Sequence, residues 1–438
     1  MQNGELMQAY DYFLRSAIHI VTFDKITQDR KLQLIVKKYS EMDVQEGKML
    51  VSRLNNLHNN ILHSKPSQFP YFIEVLRILT KAKIYNASSY LKSFEPTFNI
   101  KNFINELLSR KINSHTLEKN DQIVVDFMKN IMNLDYGDFA DLFEGIEVYG
   151  SSKNGFRLMS SDYDYSIKFS EFLDERDFLS AFYDHVESFL ESNYDSDEYE
   201  IEAKLDESIR VPVVDLKLKR GNISLSFSVN NKLAIYNSKL LFAYSQFDQR
   251  CRKLGLLVKI WAKKHNVLGS YKGYLCSYAL ILLVICFLQN LNDPILPSLQ
   301  EESRKEKTIQ ITRTVQNLRE QKFLAKVDFE RNPWRLKKLK KKFSSNDANV
   351  GELFIGFLEF FSQPKKFAEI QFSVKAGDFF KRSKDDKIAL YSIEDPFDTG
   401  YNAGYSLKKG SPEANRFMAK MRNTVQLLKQ NKWKEVFY

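Results

Sequence analysis

Residues 150–164 read GSSKNGFRLMSSDYD, and this stretch decides the fold. If Asp162 and Asp164 lie on one strand, their side chains point to the same face, because neighbouring strand residues alternate between faces. Two carboxylates held side by side repel each other unless a divalent cation lies between them. Gly150 and Ser151 supply a tight turn with N–H and hydroxyl donors for phosphate. Metal and phosphate together predict nucleotidyl or phosphoryl transfer. A surface loop followed by a half-exposed acidic strand is the alternative.

Composition limits the class of protein. The chain has 438 residues, 43% of them hydrophobic, which is enough for two or three domains with cores. Its net charge of +10 fits a polyanionic partner such as RNA, although many globular proteins are as basic. Cys251, Cys276 and Cys286 have no metal-binding spacing and predict a reducing compartment without disulfides. The apolar run 278–288 is too short to cross a bilayer, and the N-terminus shows neither a secretory nor a mitochondrial signal. We therefore expect a cytoplasmic or nuclear protein with no membrane partner.

Periodicity divides the chain into three predicted parts. Residues 1–115 form a helical extension, which is either a docking region for a protein partner or a scaffold packed on the rest. Residues 116–236 mix short strands with helices, and residues 237–438 are mostly helical, so the predicted fold class is α+β. Within these parts, we expect an acidic, solvated loop or helix end at 191–207. We expect a charged segment interrupted by loops at 301–342.

Two alternating segments predict a β-hairpin. Residues 210–218 and 223–229 alternate between apolar and polar side chains, and Gly221-Asn222 lies between them as a two-residue turn. With that turn, Asp215 pairs with Ser228 and lies diagonal to Ser226 on the same sheet face. A register shift of one residue would place Asp215 on the opposite face.

Three further charged segments each have two interpretations. Lys259 and Lys263, four residues apart on a predicted helix, form either a triphosphate clamp or the basic outer side of an amphipathic helix. The turn IEDPFD at 393–398 either accepts hydrogen bonds from a base edge or caps the following segment. The run WRLKKLKKK at 334–342 either follows an RNA backbone or is a solvated helix face.

In this order, the segments resemble the non-canonical poly(A) polymerase and terminal uridylyltransferase family, a branch of the DNA polymerase β-like nucleotidyltransferases. The resemblance covers residues 120–430. It rests on GS at 150–151, the aspartates at 162 and 164, VPVV at 211–214, LAIYN at 233–237, VKIWAK at 258–263, SY at 270–271 and 277–278, GEL at 351–353 and IEDPF at 393–397. It implies a bilobed fold in which a small mixed-sheet catalytic domain and a helical central (poly(A) polymerase-associated) domain enclose a nucleoside triphosphate.

The resemblance also implies roles for individual residues. Asp162 and Asp164 would bind two Mg²⁺ (or Mn²⁺) ions, and Gly150 and Ser151 would contact the triphosphate. An RNA 3′-hydroxyl would attack the α-phosphate of UTP or ATP, and pyrophosphate would leave. The remaining implied nucleotide contacts are Asn237 at the ribose with Ser238 beside it, Lys259 and Lys263 at the phosphates, Tyr271 stacked on the base after Ser270, and Asp395, Asp398 and Tyr401 near the base edge.

Two positions depart from the family pattern. The third metal-binding aspartate of the family is replaced by Ser226, and a neutral hydroxyl is a poor ligand for Mg²⁺. Asp215 is then either a relocated third carboxylate or the partner of a nearby lysine. The histidine that follows the proline turn in uridylyltransferases is replaced by Tyr401. A preference for uridine is therefore unsupported, and adenine or a relaxed preference fits equally well.

Two functions are predicted on these grounds. The first is an active template-independent RNA 3′-terminal nucleotidyltransferase, impaired or unusual in its metal use. The second is a catalytically inactive nucleotidyltransferase-like subunit of an RNA-processing complex. Retained nucleotide contacts are compatible with both, because a bound nucleotide can stabilise a fold without being turned over.

Overall fold

The computed structural model describes residues 100–132, 137–170, 174–205, 211–219, 221–315, 319–343, 345–363, 367–383 and 388–438. Most of the predicted extension, and with it the predicted docking region, lies outside the described residues. Residues 104–423, together with Phe437, form one compact unit, which contains all the strands described below. Its mixture of strands and helices confirms the α+β class.

The elements of the described residues are numbered along the chain. Helices α1 to α10 span Ile100–Lys111, Ser114–Met132, Glu175–Asn193, Lys232–Phe247, Gln249–Lys264, Ser277–Gln289, Pro333–Lys342, Val350–Phe361, Pro412–Lys429 and Trp433–Phe437. Strands β1 to β10 span Phe143–Tyr149, Tyr163–Phe169, Tyr199–Lys204, Val213–Leu218, Ile223–Val229, Thr308–Val315, Arg319–Lys326, Ile370–Ser373, Asp378–Lys381 and Ser392–Glu394.

Five strands form the sheet that carries the acidic motif. Their order is β1-β2-β5-β4-β3, with β2 parallel to β5 and the other neighbours antiparallel. One face packs on α2 and α3, because alternate residues such as Ile167, Leu216 and Leu225 are apolar and buried in one core. The other face bears the polar residues between them, Asp164 and Asp215 included.

The edge strand β3 corrects the prediction for residues 191–207. Part of this acidic segment, Tyr199–Lys204, is a strand rather than a solvated loop. Tyr199, Ile201 and Ala203 pack against the core, and charged residues alternate with them. The overall acidity hides this alternation, since only one side of an edge strand needs to be apolar.

The β4–β5 hairpin has the predicted face but not the predicted register. Its loop holds four residues, 219–222, and the N–H of Asn222 donates to the carbonyl of Lys219 at 3.1 Å. Asp215 consequently pairs directly with Ser226 and not with Ser228. Because the shift is two residues, every side chain stays on its predicted face.

Helices build most of the second half of the unit. Helix α5 contacts α4, α6 and α8. Helix α6 is buried from Ala279 to Gln289, so the apolar run at 278–288 is a core helix. Among the described residues, none of the helices combines the length and apolarity that a membrane span requires.

Residues 301–342 contain a hairpin that the sequence did not predict. Strands β6 and β7 pair antiparallel, from Thr308 with Lys326 to Val315 with Arg319. The connecting sequence, QNL at 316–318, contains neither glycine nor proline, which are the usual signals of a tight turn. The same segment ends in the basic helix α7, none of whose residues is buried.

Candidate functional site

A row of side chains crosses the polar face of the five-stranded sheet. Tyr149 pairs with Asp164, and Asp164 pairs with Ser226. Beyond them, Ser226 pairs with Asp215, and Asp215 pairs with Glu202. Since directly paired residues point to the same face, these five side chains lie side by side from β1 to β3. Ser226 therefore lies between two acids.

The turn at Gly150 presses against the carboxylate of Asp164. Gly150 has a φ of +65°, and a Cβ atom added there would lie 1.8 Å from Asp164 Oδ2. The backbone N–H of Ser151 donates to Asp164, and that of Gly150 donates to Ser238 Oγ at 2.8 Å. Only glycine fits this turn without displacing the acid, and Ser238 helps to hold it in place.

Replacing Gly150 by alanine is expected to abolish nucleotide binding, because the new methyl group displaces the Asp164 carboxylate. Gly410→Ala is the matched control, since Gly410 has a φ of +81° and its added Cβ would meet nothing within 4 Å. In both variants, an alanine in the left-handed region strains the backbone, so the free energy of unfolding should fall by about 1–2 kcal/mol. Calorimetric titration with Mg–ATP and Mg–UTP, beside thermal unfolding, checks this. The same binding in both variants would contradict it.

Burial and neighbouring charges shift the pKa values in this site. Burial, followed by the charge of Asp162, raises the pKa of Asp164 to about 7. Burial also raises the pKa of Asp162, against the lowering effect of Lys263. Burial and the like charge of Lys263 lower the pKa of Lys259 to about 7. A bound cation would favour the ionised acids, and bound phosphate would favour the charged lysines. The donor set therefore fits a metal–nucleotide complex.

Asp215 contacts a nearby lysine, which is one of the two alternatives that the sequence left open, and it also contacts Ser226. Ser226 Oγ donates to its Oδ1, and Lys204 Nζ donates to its Oδ2. After burial, the charge of Asp215 adds a smaller upward contribution to the pKa of Asp162 and Asp164. Within the described ranges, no three acidic, histidine or cysteine side chains converge as a metal cluster. A role for Asp215 as third carboxylate stays a prediction.

The two predicted phosphate lysines hold the loop that precedes Asp162. Lys259 is 2% exposed, so it does not lie on the basic outer side of an amphipathic helix. Its Nζ donates to the carbonyl of Phe156 at 2.8 Å, and Lys263 Nζ donates to the carbonyl of Ser160 at 2.7 Å. Both lysines thereby link helix α5 to the loop 156–161.

The acids, the glycine turn and the lysines line one cavity of about 1460 Å³. Pockets for small molecules usually measure about 300–1000 Å³, so this cavity can hold a nucleotide together with part of a second ligand. The predicted residues that line it are Gly150, Ser151, Asp162, Asp164, Asn237, Ser238, Lys259, Lys263, Ser270, Tyr271, Asp395 and Tyr401. Asp215, Ser226 and Asp398 lie outside this lining, and Asp398 is buried.

Asp395 organises the predicted base-edge turn. Its Oδ1 accepts from the backbone N–H groups of Phe397 and Asp398, each at 3.0 Å. Its Oδ2 accepts from Asn237 Nδ2 at 3.2 Å and from the hydroxyl of Tyr278 at 3.0 Å. Asn237 is 7% exposed, and its Oδ1 has no hydrogen-bond partner among the described residues. Because an unpaired buried acceptor is costly, this oxygen is suited to a ligand hydroxyl.

Two aromatic residues line the cavity where the sequence predicts the base. Tyr271 is 85% exposed, with Lys272 Nζ 5.1 Å from its ring centroid. An exposed ring of this kind is suited to base stacking. Tyr401 lines the cavity, and its backbone N–H donates to the carbonyl of Asp398 at 2.8 Å. Their contacts with a base remain predictions.

Sequence reasoning missed several residues that line this cavity. Tyr149 precedes the glycine turn, and burial, followed by the charge of Asp164, raises its pKa to about 12. Tyr278 belongs to one of the matching SY segments, which could have identified it. Gln310 and Lys322 reach the cavity from the β6–β7 hairpin, which has no turn signal in the sequence.

Known proteins resemble this chain in sequence. Residues 100–246 match the model of the "Poly(A) RNA polymerase, mitochondrial-like, central palm domain". Terminal uridylyltransferase 7 of Homo sapiens is 28% identical over 267 residues, which is 60% of this chain and 17% of that protein. Poly(A) RNA polymerase GLD2-B of Xenopus laevis is 30% identical over 255 residues, 57% of this chain and 46% of that protein. The chain therefore spans less than half the length of either relative.

Solved structures show the same fold. The Cid1 poly(U) polymerase with MgGTP bound superposes with a TM-score of 0.60 at 21% identity, over 77% of this chain and 97% of that one. The structure of mtPAP in complex with GTP gives a TM-score of 0.52 at 21% identity, over 65% of this chain and 59% of that one. With the acidic motif, the glycine turn and the lysines in one cavity, and with these sequence relatives, residues 100–246 of this chain are a palm domain of the non-canonical poly(A) polymerase and terminal uridylyltransferase family.

Proposed function

We propose that this chain is a template-independent RNA 3′-terminal nucleotidyltransferase, which transfers a nucleotide from UTP or ATP to an RNA 3′-hydroxyl and releases pyrophosphate. One observation carries the proposal: Asp162 and Asp164 line the same cavity as Lys259, Lys263 and Asn237. A carboxylate pair for a divalent cation, ammonium groups for phosphates and a buried acceptor for a ribose hydroxyl are what this transfer requires. The names of the relatives, a uridylyltransferase and a poly(A) polymerase, support the same reaction class.

The residues divide the binding of the nucleotide between them. A Mg²⁺ or Mn²⁺ ion held by Asp162 and Asp164 would supply Lewis-acid activation of the α-phosphate. Lys259 and Lys263 bind the oxygens of the departing pyrophosphate, and Asn237 Oδ1 accepts a hydrogen bond from the ribose. Mg-bound nucleotide in the Cid1 structure supports this choice of cofactor.

The acceptor hydroxyl needs a group that takes its proton. Ser226 Oγ donates its own proton to Asp215, so its lone pairs are directed elsewhere. In the proposed step, the RNA 3′-oxygen bonds to the α-phosphorus while the bond from that phosphorus to the bridging oxygen breaks. The hydroxyl proton passes to Ser226, and the proton of Ser226 passes to Asp215. Asp215 thereby takes over a function of the missing third acid.

The proposal also covers the base, the partner, the domains and the location of the chain. A tyrosine at 401 stacks and donates one hydrogen bond but does not reproduce an imidazole contact, so ATP or a relaxed preference fits as well as UTP. We propose further that residues 1–115 bind a protein partner. Residues 116–236 would form the catalytic domain and residues 237–438 the helical central domain, and the location would be cytoplasmic or nuclear.

A second candidate function is a catalytically inactive subunit that binds nucleotide or RNA within a processing complex. Two observations favour it. Both oxygens of Asp215 already accept hydrogen bonds, from Ser226 and Lys204. Asp215 also lies outside the lining of the nucleotide cavity.

Primer extension separates the two candidates. With a 5′-labelled RNA, each of the four nucleoside triphosphates and Mg²⁺ or Mn²⁺, we expect the wild-type chain to extend the primer. Asp164→Asn should lower the rate roughly 1000-fold, because it removes half of the carboxylate pair. Asp378→Asn, at an exposed aspartate outside the cavity, is the control. Nucleotide binding without extension under every condition would refute the enzyme and favour the second candidate.

A further inference from the structure

A groove lined by lysines adjoins the nucleotide cavity. It measures about 450 Å³, and its lining includes Glu147, Lys168, Lys232, Tyr236, Lys239 and Gln310. Lys232 and Gln310 also line the nucleotide cavity, so the two spaces are neighbours. We call this space, together with Lys307 at its rim, the lysine groove.

Three elements build the lysine groove. Lys168 lies on β2 four residues after Asp164 and on the same sheet face, about 13 Å along the strand. Lys232, Tyr236 and Lys239 recur at i, i+4 and i+7 of α4, so they share one face of that helix. Residues 309 and 310 of the β6–β7 hairpin form the third wall. The groove therefore begins at the polar sheet face that carries the acids.

The residues that the structure describes do not neutralise the positive charge of the groove. Glu147 pairs with Lys239 at 3.0 Å and with Lys168 at 3.8 Å, so one carboxylate serves two lysines. Lys232 and Lys307 form no ion pair with any residue that the structure describes. Four ammonium groups face one acid, which favours a polyanionic ligand.

An aromatic ring lies among these lysines. The Nζ atoms of Lys239 and Lys307 lie 5.5 and 5.6 Å from the ring centroid of Tyr236. Single-stranded nucleic acids bind in grooves that combine basic side chains for the backbone with aromatic rings for the bases. Helix α7 contrasts with this arrangement. Its lysines are equally basic, but none of its residues lines either space.

We propose that the lysine groove binds the backbone of the single-stranded RNA whose 3′ end lies in the nucleotide cavity. This proposal rests on the function proposed above. Lys168, Lys239 and Lys307 contact successive phosphates as point charges, so the groove accepts RNA irrespective of its sequence. Helix α7 is then a solvated helix face.

The test compares two charge-matched variants. In one, Lys168, Lys239 and Lys307 are changed to glutamine; in the other, the exposed Lys337, Lys338 and Lys340 of α7 are changed in the same way. Binding of a fluorescent single-stranded RNA is measured between 50 and 300 mM salt, roughly the range in which such contacts weaken. The slope of log K against log salt is negative, and each lost phosphate contact reduces its magnitude by about 0.7. For the groove variant, which lacks three contacts, we expect the magnitude of the slope to fall by about 2. For the α7 variant, we expect the slope of the wild-type chain.

Titration of each variant with nucleotide distinguishes a failure of the lysine groove proposal from a failure of the proposed function. An unchanged slope in the groove variant, or the same fall in both variants, overturns the lysine groove and leaves the proposed function standing. A wild-type chain that binds nucleotide but no RNA overturns both. If the groove variant does not fold, 4-thiouridine near the RNA 3′ end is photo-crosslinked to the wild-type chain. Crosslinks in residues 232–239 or 307–310 support the groove, and crosslinks confined to 333–342 overturn it.

Discussion

Replacing Ser226 by aspartate is expected to raise the rate of RNA 3′-end extension about a hundredfold or more over the wild-type chain. Ser226 pairs directly with Asp164 on the parallel strand β2 and with Asp215 on the antiparallel strand β4. A carboxylate at position 226 would share the sheet face of these acids. Carboxylates are much better ligands for Mg²⁺ than hydroxyl groups, so the variant gains the acid that the family pattern contains.

The variant Ser226→Asn is the matched control for this gain. It has nearly the size of aspartate but carries no charge, and we expect it to be no faster than the wild-type chain. The aspartate variant adds a charge next to Asp164, whose pKa burial and the charge of Asp162 already raise to about 7. Without metal, the aspartate variant should therefore be less stable than the wild-type chain. Added Mg²⁺ should raise its unfolding temperature more than that of the wild-type chain. Primer extension and thermal unfolding across a Mg²⁺ titration measure both effects. If the aspartate variant extends no faster than the asparagine variant, the expectation fails.

The sequence predicts which face of the sheet carries the site, but not how its strands align. With the predicted hairpin, Asp215 shares a sheet face with Ser226, and the structure agrees. The alignment depends on a four-residue loop at 219–222, whose length a Gly-Asn pair alone does not determine. Lys204 was missed as a partner of Asp215 because it lies on β3, inside a segment whose acidic composition predicts a loop.

Most of the candidate site residues follow from local sequence patterns, but the contacts that hold them in place do not. The sequence alone predicts a tight turn at Gly150, and its φ of +65° and close approach to Asp164 require glycine. The contacts of Asp395 with Asn237 and Tyr278 join residues far apart in the chain, and no local pattern encodes them. The β6–β7 hairpin, part of which lines the cavity, is not predicted because the residues between its strands include neither glycine nor proline.

Asp215→Asn is expected to lower extension roughly 1000-fold in the wild-type background and to change it less than about threefold in the Ser226→Asp background. In the wild-type chain, Asp215 is the acid to which the Ser226 hydroxyl donates, and an amide cannot take up that proton. In the Ser226→Asp chain, the new carboxylate accepts the proton itself. The effect of one substitution thus depends on the other, which is what a relocated acid requires.

Loss of the ion pair with Lys204 is the competing explanation for any loss of activity in Asp215→Asn. The Lys204 side chain is 39% exposed, so an ion pair of this kind contributes at most about 1 kcal/mol to stability. Lys204→Gln removes the ion pair and keeps the carboxylate, and we expect it to retain extension. A loss in Lys204→Gln equal to that in Asp215→Asn would make the ion pair the cause. An equal loss in both backgrounds would show that Asp215 supports the sheet rather than the reaction. Full activity of Asp215→Asn in the wild-type background would leave Asp162 and Asp164 as the only acids that the reaction uses.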